Sequence, residues 1–511
     1  MLVKWVQPPR ASSANRVNKL HPLSRSWKNS LLVLIFLLTA CLPQPLANVT
    51  PATPTATPSP AVSPTPLPTR PEYNPGELVD YIAQGGDTLP ALAARFNTTI
   101  DEIRAANPSL QIPADATTMP QGMPMKIPIY YLPFWGTTFQ ILPDSQFVDG
   151  PAAIGFSAKD FVDGHAGWLK NFSAYAQDGI HSGGEIVDIV ATNYSIDPRL
   201  LLAVLEYQTG ALSQPVAPQG YFPLGEKDYQ QIGLYLQLIW AANILNQGYY
   251  GWRTGLLTEF DLVGGRIERP DPWQTAASVA IQYYFSQHFT LDEYTRAIGP
   301  DGLARTYQDL FGNPWEYDRN NPPLIPVSLQ QPVFTFPFPD GKTWVLTGGP
   351  HTGWGSQMPW AALDFAPPSN VGGCVRSYES ALAVVDGLVV RSQTGVVMLD
   401  LDKDGDERTG WDILYLHVAT IGRAQVGQEL KTGDPVGFPS CEGGTATGTH
   451  VHIARKYNGE WIPADSAIPF NLEGWIPHNG DRPYAGTLTR GNQTITACDC
   501  SNAASFVTAG K

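Results

Sequence analysis

Gly448-Thr449-His450-Val451-His452-Ile453 reads as the start of a strand, because apolar residues alternate with the two histidines. Successive side chains of a strand point to opposite faces, so His450 and His452 enter one site from a single backbone segment. Of nine histidines in 511 residues, four fall between 351 and 452: His351, His417, His450 and His452. His351 follows the turn Gly348-Gly349-Pro350, Asp364 stands in the apolar run Trp360-Ala361-Ala362-Leu363-Asp364-Phe365, and His417 ends Tyr415-Leu416-His417. Short β-rich runs surround them: Thr343 to Leu346, Ala383 to Val390, Val396 to Leu399 and Ile413 to Leu416. Strands at this spacing predict an antiparallel β-rich domain, a sheet or sandwich, over residues 333–479.

A first His, an Asp after it, Tyr-x-His and a closing His-x-His together resemble the lysostaphin-type zinc metallopeptidase family. The resemblance implies zinc held by His351, Asp364 and His452, with His417 and His450 in the two catalytic imidazole positions. Three protein ligands leave a fourth tetrahedral place for water, as a catalytic zinc site requires. Zinc lowers the pKa of that water toward ~7 and polarises the scissile carbonyl. One imidazole then accepts the water proton while the other stabilises the oxyanion. Gly387, Gly427-Gln428 and Gly433-Asp434-Pro435-Val436-Gly437 match the glycine turns of that family. One departure is the gap from His351 to Asp364, 13 residues rather than the usual four, with Trp354 and Trp360 in the inserted stretch. Asp386 is the alternative carboxylate ligand.

Asp400-Leu401-Asp402-Lys403-Asp404-Gly405-Asp406-Glu407 has the opening of an EF-hand calcium loop, but Trp411 occupies its twelfth position, where such a loop needs Glu. Flanking strands make it a hairpin tip, either solvated or a Ca2+ site. Apart from Cys41, four cysteines remain: Cys374, Cys441, Cys498 and Cys500. An even number in an exported chain suggests two disulfides, with three connectivities open. Cys498-Asp499-Cys500 also reads as a metal half-site.

Residues 145–320 are mostly helical, with patterns at Glu185 to Tyr194, Pro198 to Gln208, Tyr229 to Gln247, Trp273 to Gln287 and Ala304 to Phe311. The stretch Ile196 to Gly210 is similar to the catalytic-helix region of lysozyme-like lytic transglycosylases. In that family the helix ends in Glu-Ser-Gly; here the matching residue is Gln208, which carries no titrating proton, and Glu206 lies ~200° around the helix from it. A degenerate lysozyme-like domain is therefore expected.

Upstream, Tyr81, Gly86-Asp87-Thr88-Leu89, Leu92-Ala93, Phe96, Asn107, Gly122 and Ile127-Pro128 resemble a LysM (lysin motif) module over residues 77–129. Its layout is a small α+β unit, β-α-α-β, with Asp87 or Thr88 capping the first helix. Such modules bind N-acetylglucosamine-containing glycans. Residues 43–75 hold 11 prolines in 33 positions, so residues 41–76 form an extended Pro/Thr-rich linker rather than a core. Residues 1–40 carry six basic and no acidic residues ahead of the apolar run Leu31 to Leu38, as in a signal peptide. Leu38-Thr39-Ala40-Cys41 resembles a bacterial lipobox, implying lipidation at Cys41.

Formal charge is −14, and removing those six basic residues makes it −20 (26 − 46). An acidic surface is repelled by phosphate backbones, which argues against a nucleic-acid partner. The expected protein is multidomain, exported and lipid-anchored at the membrane facing the cell wall. Its expected partners are peptidoglycan glycan and stem peptides, its cofactor Zn2+, and its activity hydrolysis of peptidoglycan peptide bonds. The alternative is a non-enzymatic wall-binding or regulatory lipoprotein with a vestigial metal site. The last residues, 480–511, read as a tail pinned by a disulfide.

Overall fold

In the computed structural model, which describes residues 66–109, 117–500 and 502–510, the first module forms around a buried carboxylate. Asp87 accepts hydrogen bonds from Tyr81 Oη at 2.6 Å, Gln84 N at 2.8 Å and Arg95 Nη1 at 2.7 Å. Thus engaged, it leaves the capping of α1 (Leu89–Arg95) to Thr88, whose hydroxyl accepts from Ala91 N. Helix α2 (Ile100–Ala106) opens with a capping box of Thr99 and Glu102. Strands β1 (Glu77–Ile82) and β2 (Pro124–Ile129) pair antiparallel beside them, over a core of Leu92, Phe96, Ile103 and Ile127. Strand β1 and the loop after it are turned onto the helical region: Trp273 Nε1 donates to Asp80 O at 3.1 Å, and Arg253 Nη1 donates to Gly85 O. The expected signal peptide, Cys41 and residues 41–65 of the expected linker lie outside the described residues.

The helical region contains α3 (Gly183–Tyr194), α4 (Pro198–Thr209), α5 (Leu234–Thr254), α6 (Ala276–Ser286) and α7 (Leu303–Phe311). Pro198 sits in the first turn of α4, Asp197 accepts from Arg199 N, and Gly210 ends the helix at φ +62°. Helix α5 begins at Leu234 rather than near Tyr229, because Gly233 at φ +89° turns the chain out of a helical path.

The β-rich region contributes β3 (Thr343–Thr352), β4 (Trp360–Ala366), β5 (Gly387–Gln393), β6 (Gly395–Asp400), β7 (Trp411–Val418), β8 (Glu429–Leu430), β9 (Val451–Tyr457), β10 (Ile476–Asn479), β11 (Gly486–Arg490), β12 (Gln493–Thr496) and β13 (Phe506–Thr508). All pairings in the main sheet are antiparallel, in the order β8-β5-β6-β7-β9-β4-β3-β13. Residues 480–511, expected as a tail, instead supply β11 and β12, which continue from β10, and the edge strand β13. Strand pairing holds this segment in place, since Cys498 bonds to Cys500 only two residues away.

Both faces of the sheet are dry. Val397, Leu399, Ile413, Tyr415 and Ile453 enter the β-region's own core. Their alternating neighbours Val396, Met398, Leu414, Leu416 and Ala454 join one core with Leu201, Leu205 and Leu245 of the helical region. Antiparallel sheets commonly leave one face wet, so the apolar content of both alternating sets explains the sandwiching. Polar contacts fix the same interface. Glu407 accepts from Arg391 Nη2 and Lys456 Nζ, each at 2.9 Å, while Arg391 Nη1 donates to Asn193 on α3 at 2.8 Å.

Burial opposes ionisation of Glu407, but the charges of Arg391 and Lys456 win and hold its carboxyl down to about 2. A carboxyl lowered on folding contributes stability above its unfolded pKa of ~4.3, and loses that contribution as pH falls toward the folded value. Glu407→Gln is therefore expected to cost about 3 kcal/mol at pH 7. The gap from wild type should close as pH falls through the window between about 4 and 2, measured by denaturant titration at pH 7 and pH 3.

Candidate metal centre

Register places the centre. Along β9 and β4, His452 is the cross-strand partner of Asp364, and Ala362 in turn pairs with His351 on β3. His452 and Asp364 share the sheet face that carries Ala454 and Leu416, as period-two alternation requires. The 13-residue gap is absorbed because the chain leaves β3 after Thr352, makes a loop that seats Met358 in the helical core, and returns as β4. A Cβ on Gly348 would collide with the Asp364 carboxylate at 2.6 Å, so a glycine there leaves room for it.

His351 Nε2 and His452 Nδ1 stand 3.0 Å apart, and each is 3.2 Å from Asp364 Oδ1. The outer ring nitrogens assign the tautomers. His351 Nδ1 lies 2.8 Å from Gly349 O and His452 Nε2 lies 3.0 Å from Gly353 O, contacts that only an N–H can make with a carbonyl. The inner nitrogens are then bare lone pairs facing each other and a buried carboxylate oxygen that accepts no hydrogen bond. Burial lowers the pKa of His452, which keeps its ring neutral. Three acceptors converging without a proton between them fit a cation, and two imidazoles with one carboxylate suit zinc.

His417 and His450 flank this triad, their ring centroids 4.5 Å apart. His417, the penultimate residue of β7, stands at φ +63°, a left-handed conformation. Its Nδ1 bonds Glu442 O at 2.9 Å, and His450 Nδ1 bonds Gly448 O at 2.8 Å, so both Nε2 atoms are unprotonated in the neutral rings. Burial, with His450 and His452 adding, pushes His417 down to about 4. His450 is the more open of the pair, its side chain 14% exposed. A cleft of about 880 Å³ between the helical region and the sheet runs up to this side, lined by Tyr175, Asn193, Tyr235, Trp354, Gly443 and Gly444.

Other candidates lie elsewhere. Asp386 is not at the centre: it sits on an exposed turn, accepting from Thr432 N at 2.8 Å and Lys431 Nζ at 2.9 Å. Glu206 accepts from Leu212 N at 2.7 Å, while Gln208 contacts Tyr284 Oη at 2.6 Å and His288 Nε2 at 3.1 Å. Both are thus occupied in holding α4 to its surroundings. The disulfide Cys374–Cys441 joins two segments beside the centre, next to the Gly373 O that accepts from Thr449 N and the Glu442 O that contacts His417. Cys498–Cys500 is a disulfide rather than a metal half-site.

Sequence reasoning missed Tyr484, whose ring stacks on His351 with centroids 4.1 Å apart. Its O accepts from Gly349 N at 2.8 Å, clamping the end of β3. The only signal was an aromatic beside proline in Arg482-Pro483-Tyr484, within a stretch read as a tail.

Residues 81–116 match the family model described as the LysM domain, and residues 140–326 match that described as the LasA N-terminal domain. The chain is 25% identical over 341 residues to protease LasA of Pseudomonas aeruginosa, an overlap of 64% of this chain and 76% of that protein. Among solved structures, the M23 metalloprotease pseudoalterin from the deep sea is 21% identical, with a TM-score of 0.28 over 33% of this chain and 96% of that one. The catalytic domain of lysostaphin from Staphylococcus simulans is also 21% identical, with a TM-score of 0.17 over 24% of this chain and 88% of that one. The residues that match the LasA N-terminal model include the stretch likened above to lysozyme-like transglycosylases. No helix among the described residues is long and apolar enough to cross a membrane.

Proposed function

We propose that the protein is a cell-envelope zinc metalloendopeptidase that hydrolyses peptide bonds of peptidoglycan. The observation that carries this reading is the convergence of His351 Nε2, His452 Nδ1 and the unpartnered Asp364 Oδ1, with two further imidazoles alongside. The similarity to protease LasA supports a peptidase, and the LysM match supports a wall substrate. His351, Asp364 and His452 would hold the zinc, which when bound polarises the scissile carbonyl and acidifies water. His450 and His417 each offer a bare Nε2, so one of them accepts the proton of the attacking water and returns it to the leaving amine. The buried surroundings of His417 favour its neutral form, the state a proton acceptor needs.

The LysM module would add affinity for N-acetylglucosamine-containing glycan and raise the local concentration of stem peptides. A lipid at Cys41 and the proline-rich linker would hold the molecule between membrane and wall. Zinc analysis paired with muropeptide digestion tests the enzyme reading. Wild type should carry about one zinc, as three donors from one chain imply, and shorten cross-linked muropeptides. His450→Ala should retain zinc and lose about 10²–10⁴ of the rate. A wild-type chain that binds no metal and leaves cross-links intact would instead be a wall-binding lipoprotein without activity.

A further inference from the structure

The β6–β7 hairpin gathers carboxylates that lack an ion-pair partner among the described residues. Asp400 closes β6 fully buried, and its oxygens accept from Asp402 N, Lys403 N and Gly405 N at 3.1, 3.1 and 2.9 Å. Carboxylate oxygens of Asp400, Asp402 and Asp404 lie within 4.8 Å of one another. The neighbouring cations are committed elsewhere: Lys403 to Glu429, Arg408 to Asp406, and Arg391 and Lys456 to Glu407. Among the described residues, Asp400, Asp402 and Asp404 have no ion-pair partner.

A second observation comes from the return strand. Asp412 is the cross-strand partner of Asp400, it is fully buried, and both its carboxylate oxygens lack a hydrogen-bond partner. Directly opposed residues of antiparallel strands share a face with Cβ atoms ~5 Å apart, so Asp412 projects beside Asp400. Like charges so placed repel, and a buried charge persists only when paired or bound to a metal. Gly410 keeps the loop open, because a Cβ there would run into the Asp402 carboxylate.

We propose that this hairpin binds a calcium ion through Asp400, Asp402 and Asp404, with Asp412 bringing the fourth negative charge from the return strand. Asp412 thereby adds negative charge beside the three converging carboxylates, where the closing acid of such a loop is missing at Trp411, one position earlier. An all-oxygen set of carboxylates suits Ca2+ better than the smaller Mg2+, which keeps several waters. The ion braces the hairpin against the helical region, where Arg408 Nη1 donates to Ala153 O at 3.1 Å.

Terbium luminescence excited through the adjacent Trp411, displaced by Ca2+, tests the site in the full chain, together with calorimetry and thermal unfolding. One Ca2+ per chain is expected beyond any zinc, with a higher Tm in its presence. His351→Ala should leave this binding unchanged. Asp402 and Asp404 are exposed, so their double exchange to Asn spares the fold and should weaken Ca2+ by at least about tenfold. Asp412→Asn should weaken Ca2+ yet raise the Tm of the calcium-free protein, because it removes a repulsion. Absence of binding at millimolar Ca2+, or binding untouched by the Asp402/Asp404 exchange, overturns the site. Unchanged affinity in Asp412→Asn overturns the role given to that residue.

Discussion

Alanine at His452 is expected to leave the chain without zinc and to reduce muropeptide hydrolysis by at least about 10³-fold, because a three-donor site rarely survives on two. His452 is the strongest choice among the donors. Its Nδ1 lies within 3.2 Å of both other candidate donor atoms, and its Nε2 is tied to Gly353 O. Loss of the ring removes both a donor and the contact that orients it. Zinc content by elemental analysis separates this outcome from His450→Ala, in which metal persists and only the rate falls. Wild type stripped by chelator should match His452→Ala in activity and regain it with added zinc, whereas the variant should not. A His452→Ala chain that keeps full zinc occupancy would move the metal elsewhere and sink the assignment.

The second large effect is expected at Arg253, which joins all three regions. From α5 it donates through Nε and Nη2 to Glu460 at 3.1 and 2.9 Å, and through Nη1 to Gly85 O in the LysM module. Asp144 Oδ2 lies 3.8 Å from Nη1. Burial raises the carboxyls of Glu460 and Asp144, and Arg253 is what opposes that rise. Arg253→Met would strand both acids, at a cost of about 3–5 kcal/mol in urea unfolding. Because most of that cost belongs to the abandoned charge, adding Glu460→Gln should recover much of it. If the double variant is as unstable as the single, the loss comes from packing around α5 instead.

The centre was legible because its residues obey a short-range rule. His450 and His452 had to share a face once their strand was recognised, and the same alternation placed Asp364 in a run with buried neighbours at Leu363 and Phe365. The long spacing from His351 looked like an obstacle only because a sequence does not show that Met358 anchors the intervening loop in another region's core. The shared sheet face was also hidden. Val396-Val397-Met398-Leu399 is apolar at every position, which says that both faces are covered but not by what. Disulfide pairing could not be counted out of four cysteines, and Tyr484 reaches His351 through a fold-back that no local pattern announces.

That shared face has a consequence for how such a protein can change over generations. A sheet with a wet outer side could be passed between proteins as a self-contained cartridge. Here Leu414, Leu416 and Met398 share one buried core with the helical layer, and interiors are close-packed, so a change of volume on one side calls for a matching change on the other. The helical layer and the sheet are thus bound to be inherited together, as one hereditary unit carrying both the candidate metal centre and its cover.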